Sequence, residues 1–296
     1  NGLAVTLVHD ASLPLASVRL LLPAGSAHDP ADQAGRASLG AQMLEQAAGD
    51  RTALEQAAAF DRLAADFGVS VGRDGVTVAL DSHAERLPQA MALLADALLR
   101  PAFTDEDWAR VHGLHLNALR ARADDNAAVS QVVADRAVLA GTPYAAPAEG
   151  FVATVEDLTK AQAQAWHVGL GARGAHVVVV GDVSAATAKA LLQEHLGSWG
   201  EGGASAVEGR PTWAPRRLFV DRPGSAQTAF RIVLPGPSDS APDRAAVDTV
   251  AMIVGGSFTS RLNRRLREEL GYTYGARMSP ARFQGAGMLV AGARIR

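Results

Sequence analysis

Leu3, Val5 and Leu7 alternate along the first residues, turn formers fill positions 10–14, and an apolar run follows over 18–22, so the opening reads as a β-hairpin. Between 31 and 48 the spacing of Ala34, Leu39, Met43 and Leu44 predicts a helix, and Thr52 with Glu55 forms a capping box for the next one. Two strands are expected over 69–71 and 76–80, separated by an Arg73-Asp74-Gly75 turn. Helices are then expected over 84–99, 104–123 and 127–140, with Pro101 breaking the first two apart. Thr159 and Gln162 mark a further helix start. The β-branched run 176–180 is a strand closed by Gly181-Asp182, and Ser184 caps a helix ending near Leu196. Strands clustered in this way, without regular strand-helix-strand alternation, predict an α+β fold.

Residues 197–215 are rich in Gly, Ala, Ser and Pro and lack apolar periodicity, which places a linker at 201–215. The opening pattern then returns, with a strand over 218–221, a Pro223-Gly224 turn and a strand over 229–234. Leu22-Pro23 and Leu234-Pro235 are 212 positions apart, as are Ser26 and Ser238, Pro30 and Pro242, and Ala34 and Ala246. We therefore expect one domain over 1–200 and a repeat of it over 216–296. The repeat is expected to be incomplete in this chain. An isolated half-domain leaves a sheet edge and an apolar face uncovered, so further polypeptide or a partner should complete it.

With 296 residues, 48% hydrophobic and 20% charged, the chain is long enough for two domains with sizeable cores. A net charge of −3 gives no field to recruit nucleic acid or an anionic membrane, and no apolar run approaches the ~20 residues of a membrane span. The absence of cysteine excludes disulfides, thiolate metal sites and a Cys nucleophile. The first residue is Asn1 and no basic, apolar leader follows it, so the chain is expected to be a piece of a larger protein.

The candidate chemistry centres on residues 35–43, which have the frame of an inverted zinc-peptidase helix. A working His-x-x-Glu-His would need imidazoles at Ser38 and Gln42 and a carboxylate at Ala41. None of the three can ligate zinc or take a proton from zinc-bound water. His112 and His115 share one helix face, but without a third ligand nearby they are expected to be surface histidines. Arg261, Arg264, Arg265 and Arg267, offset by Glu268 and Glu269, are expected on a solvated helix face. Gly255-Gly256 lacks a following Gly-Lys-Ser/Thr and is expected to be a turn before a helix, and no Gly-x-Ser-x-Gly occurs.

Several short stretches together carry a family resemblance. They are Asn1 to Val5, the Gly35 and Met43 flanks, Leu99-Arg100-Pro101-Ala102-Phe103, Thr142-Pro143-Tyr144, Val179-Val180-Gly181-Asp182-Val183, and the long stretch from Gly255 to Leu262 continuing through Leu266 to Gly275. In this order they resemble the pitrilysin/insulinase family of zinc metallopeptidases, which includes the mitochondrial processing peptidases. The resemblance implies two repeated metallopeptidase-like α/β sandwich domains per half, with two halves closing around a chamber. One half carries zinc, and the other carries an Arg and, seven residues later, a Tyr; here these are Arg267 and Tyr274. A guanidinium and a phenol both donate hydrogen bonds, so the pair can hold substrate carbonyls and the oxygen of a tetrahedral intermediate. The family's third zinc ligand is a Glu on a later helix, and no Glu stands between His112 and Asp124 here. The resemblance thus implies a zinc-less half, inactive alone, with no cofactor in this chain. Zinc is expected on a His-x-x-Glu-His-bearing partner half, on the same longer chain or on a separate subunit, together forming a dimer of halves that binds extended peptide. The alternative is a degenerate scaffold or assembly protein of the same fold. The expected compartment is the bacterial periplasm or cell envelope, with the cytoplasm as the alternative.

Overall fold

The computed structural model describes residues 1–203, 207 and 209–295. Positions 204–206 and 208 of the expected linker, and position 296, lie outside the described residues. The chain divides into two compact units. The first comprises Asn1–Asn117 with Ala148–Ala206, the second Ala118–Pro147 with Val207–Arg296. Residues 118–147 thus group with the second unit, a grouping that a linear division at 201–215 does not contain.

The fold is α+β, as the clustered strands predict. In the first unit β1 (Ala4–His9), β2 (Leu15–Leu22), β3 (Asp66–Val71), β4 (Val76–His83) and β5 (His176–Gly181) form one sheet in the order β1-β5-β2-β4-β3. The expected opening hairpin does not form. β5 lies between β1 and β2, parallel to the first over 4–9 and antiparallel to the second over 16–21. The physical reason is in β5 itself: four consecutive valines make a strand suited to burial in a sheet's interior, and it displaces the local pairing.

Around the sheet lie α1 (Arg36–Met43), α2 (Ala53–Arg62), α3 (Leu87–Leu99), α4 (Asp105–Arg122), α6 (Val152–Glu156), α7 (Lys160–Val168) and α8 (Ala185–Leu196), with α5 (Asn126–Val138) belonging to the second unit. The division between the units falls inside α4. Thr52 and Glu55 make the expected capping box, Thr159 and Gln162 make another, and the Ser184 hydroxyl accepts from the Thr187 amide. Val18, Leu20 and Leu22 of β2, Val76, Val78 and Leu80 of β4, and Val177 and Val179 of β5 are all buried in one core that includes α3 and α8 side chains. Each fully buried aliphatic side chain contributes about 1.5–3 kcal/mol.

The second unit contains β6 (Thr228–Pro235), β7 (Ala276–Arg282) and β8 (Gly287–Ile295) in the order β6-β8-β7, all antiparallel. Adding 212 to the bounds of β2, β3 and β4 lands on β6, β7 and β8 within two residues at each end, so the repeat inferred from Leu22-Pro23 and Leu234-Pro235 extends to three strands. The expected strand at 218–221 is not one. Its counterpart, β1, pairs only with β5, and among the described residues the second sheet has no strand in β5's place. Helix α9 (Arg244–Ala251) runs into a π-helical turn, Met252–Gly256, that packs on β7; a Cβ on Gly255 would lie 2.4 Å from the Met278 nitrogen, so only glycine permits the approach. Helix α10 (Arg261–Asn263) continues into a second π-helical turn, Arg264–Glu269. Residues 118–147 join this unit through Tyr144, which is fully buried, stacks on Phe283 at 4.8 Å and accepts from the Gly285 amide. Asp125 adds a bidentate pair with Arg294.

Candidate functional site

Helix α1, which carries the zinc-peptidase frame, is fixed on every side by contacts that explain its composition. Gly35 precedes it at φ 102°, pressed against the Glu149 carbonyl. The Asp29 carboxylate accepts from the Gly35 and Ala37 amides and pairs with Arg36 at 3.5 Å, tying down the helix N-terminus. Burial dominates this carboxyl and pushes its pKa up to about 6, against the lowering effect of those amides and of Arg36. At the helix middle Gly40 meets the Trp166 ring of α7 so closely that a Cβ would lie 2.3 Å from it.

Ser38, Ala41 and Gln42 stand where the metal-binding side chains of the frame would be. Ser38 is buried and donates to the Ala148 carbonyl at 2.8 Å. Gln42 Nε2 lies 2.8 Å from His115 Nδ1, and His115 Nε2 lies 2.8 Å from the Glu149 carbonyl oxygen. A carbonyl oxygen can only accept, so Nε2 of His115 carries the proton and Nδ1 accepts from the Gln42 amide. Ala41 is buried in the apolar core. His115 is only 7% exposed, which corrects the expectation of a surface histidine. His112, half-buried, donates through Nε2 to the Val155 carbonyl at 2.7 Å and stacks on Trp108. Their burial follows from α4 presenting that face to the 148–155 segment rather than to solvent.

These residues do not fit zinc. The Ser38 hydroxyl and both His115 nitrogens are committed to hydrogen bonds, Ala41 has no ligating atom, and among the described residues no group of three or more His, Asp or Glu can hold a metal ion. The space is filled by a polar network satisfied within the protein.

In the second unit Ser260 caps α10, accepting from the Asn263 amide, and Asn263 is buried. Its Nδ2 donates to the Ser257 carbonyl at 2.9 Å, and its Oδ1 accepts from the Ala276 amide at 2.8 Å. One side chain thus ties both ends of the 263–276 arm that carries Arg267 and Tyr274. The Arg267 guanidinium sits 3.8 Å over the Phe258 ring, and its Nη1 is buried without a hydrogen-bond partner. Tyr274 is 79% exposed, just after Gly271 at φ 65°. Arg265 pairs with Glu269 at 2.6 Å in the open, as expected of a solvated face, whereas Arg267 of the same run turns its guanidinium onto Phe258.

Sequence reasoning missed Asp29 and Asn263 and misplaced His115 at the surface. Only two of them left a local signal: the three-residue spacing of His112 and His115, and Ser260 as a cap three residues before Asn263.

Two family patterns match this chain in order. Insulinase (peptidase family M16) covers residues 4–143, and the peptidase M16 inactive domain covers residues 158–296. The chain belongs to peptidase family M16. Among curated relatives, it is 25% identical over 285 residues to an uncharacterized zinc protease of Mycobacterium leprae and 26% identical over 280 residues to one of Mycobacterium tuberculosis. Each alignment takes in 93% of this chain but only 63–64% of the relative. The crystal structure of a peptidase M16 inactive domain from Pseudomonas fluorescens superposes with a TM-score of 0.93 at 26% identity, over 99% of this chain and 72% of that one. A Helicobacter pylori protease (TM-score 0.88, 18% identity, 100% of this chain and 73% of that one) shares the fold. So does the periplasmic protease PqqL of Escherichia coli (0.73, 18%, 100% and 34%).

Proposed function

We propose that this chain is the non-catalytic, zinc-less half of a pitrilysin-type zinc metallopeptidase. It closes the chamber and binds extended peptide, presenting Arg267 and Tyr274 to a zinc site on a His-x-x-Glu-His-bearing partner half, on the same longer chain or on a separate subunit. The observation that carries this reading is the network of Ser38, Gln42 and His115: the metal position of the frame is occupied by hydrogen bonds made within the protein. The inactive-domain match over 158–296 supports it. Zinc on the partner supplies the Lewis acid and the activated water; the two donors of this chain hold substrate and the developing oxyanion. The domains of this proposal are a first α+β domain over 1–200, a linker at 201–215 and a second domain from 216. Among the described residues no helix is long and apolar enough to cross a membrane. The periplasmic neighbour supports a periplasmic or envelope setting.

The test is kinetic. Arg267→Ala or Tyr274→Phe in the assembled enzyme should lower kcat/KM by about 100-fold, equivalent to about 3 kcal/mol of transition-state stabilisation, while assembly measured by light scattering is unchanged. Zinc-dependent hydrolysis by the 296-residue chain alone would overturn the proposal.

One observation favours the second reading, a scaffold of the same fold. Arg267 already has a structural contact, its stack on Phe258. Under that reading both substitutions alter stability or association and no peptidase rate depends on them.

A further inference from the structure

In the first unit β3 is an edge strand, last in the order β1-β5-β2-β4-β3. Its ladder with β4 fixes which of its amides face outward. Gly72 donates to the Gly75 carbonyl at the turn, so by antiparallel alternation Ser70, Gly68 and Asp66 aim their amides at β4, and Phe67, Val69 and Val71 aim theirs away from the sheet. A row of outward amides and carbonyls is a template for a further strand. Here the central amide is taken: Glu45 Oε1 accepts from Val69 N at 2.7 Å.

The turn that delivers Glu45 is pinned, whereas its carboxylate is not. The Glu45 amide donates to the Gln42 carbonyl at 3.3 Å and the Gln46 amide to the Met43 carbonyl at 3.2 Å, so the chain leaves α1 through a tighter turn. Gln46 Nε2 donates back to the Gln42 carbonyl, and Arg110 of α4 donates to Gln46 Oε1 at 2.6 Å. Glu45 itself is an exposed residue whose carboxylate is held by one hydrogen bond. Desolvation raises its pKa more than the Val69 amide lowers it, so the ionised carboxylate is held weakly where it stands.

We propose that Glu45 guards the β3 edge: its carboxylate stands where the carbonyl of an incoming strand would meet the Val69 amide, and an extended peptide pairs with β3 only when Glu45 has swung away. The strand it would join sets the peptide's chemistry. Phe67, Val69 and Val71 turn their side chains to the core, where Phe67 stacks on Phe60 at 4.8 Å, while Asp66 and Ser70 are exposed. Directly opposed residues of an antiparallel pair lie on one face of the sheet. The peptide is therefore apolar at every second position and polar between, with a cation favoured opposite Asp66. This inference goes beyond the peptidase reading and does not rest on it: Arg267 and Tyr274 can fail their kinetic test with the edge still guarded, and the guard can fail with that test passed.

Hydrogen exchange read by mass spectrometry on the native full-length protein tests it. The probe is a synthetic peptide copying residues 76–83, the strand that already pairs with β3 on its other side, with a shuffled peptide as control. In the Glu45→Ala protein the copy should slow exchange over 66–71 by about tenfold or more, and in the wild type it should leave that stretch unchanged. Glu45→Gln keeps an oxygen that can accept from Val69 and should stay as closed as the wild type. Equal slowing in the wild type and the Glu45→Ala protein would show that nothing guards the edge, and no slowing in either would show that the edge takes no strand; each overturns the proposal. So does a Glu45→Gln protein that opens as fully as Glu45→Ala, since the hydrogen bond to Val69 would then not be the guard.

Discussion

Val18, Leu20 and Leu22 of β2 are 2%, 1% and 3% exposed, whereas Phe230, Ile232 and Leu234, 212 positions later on β6, are 49%, 45% and 48% exposed. The same strand pattern, at the same place in the same three-strand order, is core in one unit and surface in the other. Strand residues therefore decide which face is apolar, and the covering elements decide whether that face is buried. The covers in the first unit include α3 and α8.

The largest effect should come from truncating the paired positions. Leu20→Ala should cost about 2–5 kcal/mol in urea unfolding, and Ile232→Ala under about 1 kcal/mol. Equal costs would break the comparison. The helix termini differ too. The counterpart of Asp29 is Ala241, so the second unit has no carboxylate at that position. A carboxyl raised from 3.8 to about 6 keeps its proton longer in the folded protein, so its contribution is complete below about pH 4 and is lost as pH rises through 6. Asp29→Asn should remove about 2–3 kcal/mol of that pH dependence, seen as a flatter plot of stability against pH from 4 to 7. Gln42 and Ser38 correspond to Val254 and Val250, so the polar network also belongs to the first unit alone. Gln42→Ala leaves His115 Nδ1 buried without its donor and should cost about 1–3 kcal/mol; Val254→Ala should cost less. Smallest is Arg267→Ala, where loss of the Phe258 stack should lower thermal stability by about 0.5–1 kcal/mol.

Local chemistry was readable in the sequence where it decides local structure. The Thr52/Glu55 and Thr159/Gln162 caps, the valine strand at 176–181 and the 212-residue repeat all hold in three dimensions. What escaped was non-local. The hairpin expected from residues 3–22 is prised apart by a strand more than 150 residues away, and no property of Leu7 or Val18 announces it. The expected strand at 218–221 is not one, so its apolar residues alone do not make it a strand. In the candidate site, the failed metal frame was visible from Ser38, Ala41 and Gln42, but not what replaces it. His115 is 73 residues from Gln42, and its burial depends on the 148–155 segment folding over α4. The missing metal-binding side chains were therefore legible and the network that stands in their place was not.

The insertion of β5 also sets an order of events during synthesis. β2, β3 and β4 are complete once residue 83 has been made, but the space between β1 and β2 cannot be filled until residue 181 emerges. At translation rates of about 5–20 residues per second, that leaves an interval of roughly 5–20 s. Throughout it the first unit has a three-strand sheet whose β2 edge is open beside an unpaired opening segment. The open edge is an aggregation hazard for as long as it lasts. A chaperone that shields nascent strand edges would have that surface to recognise for the whole interval.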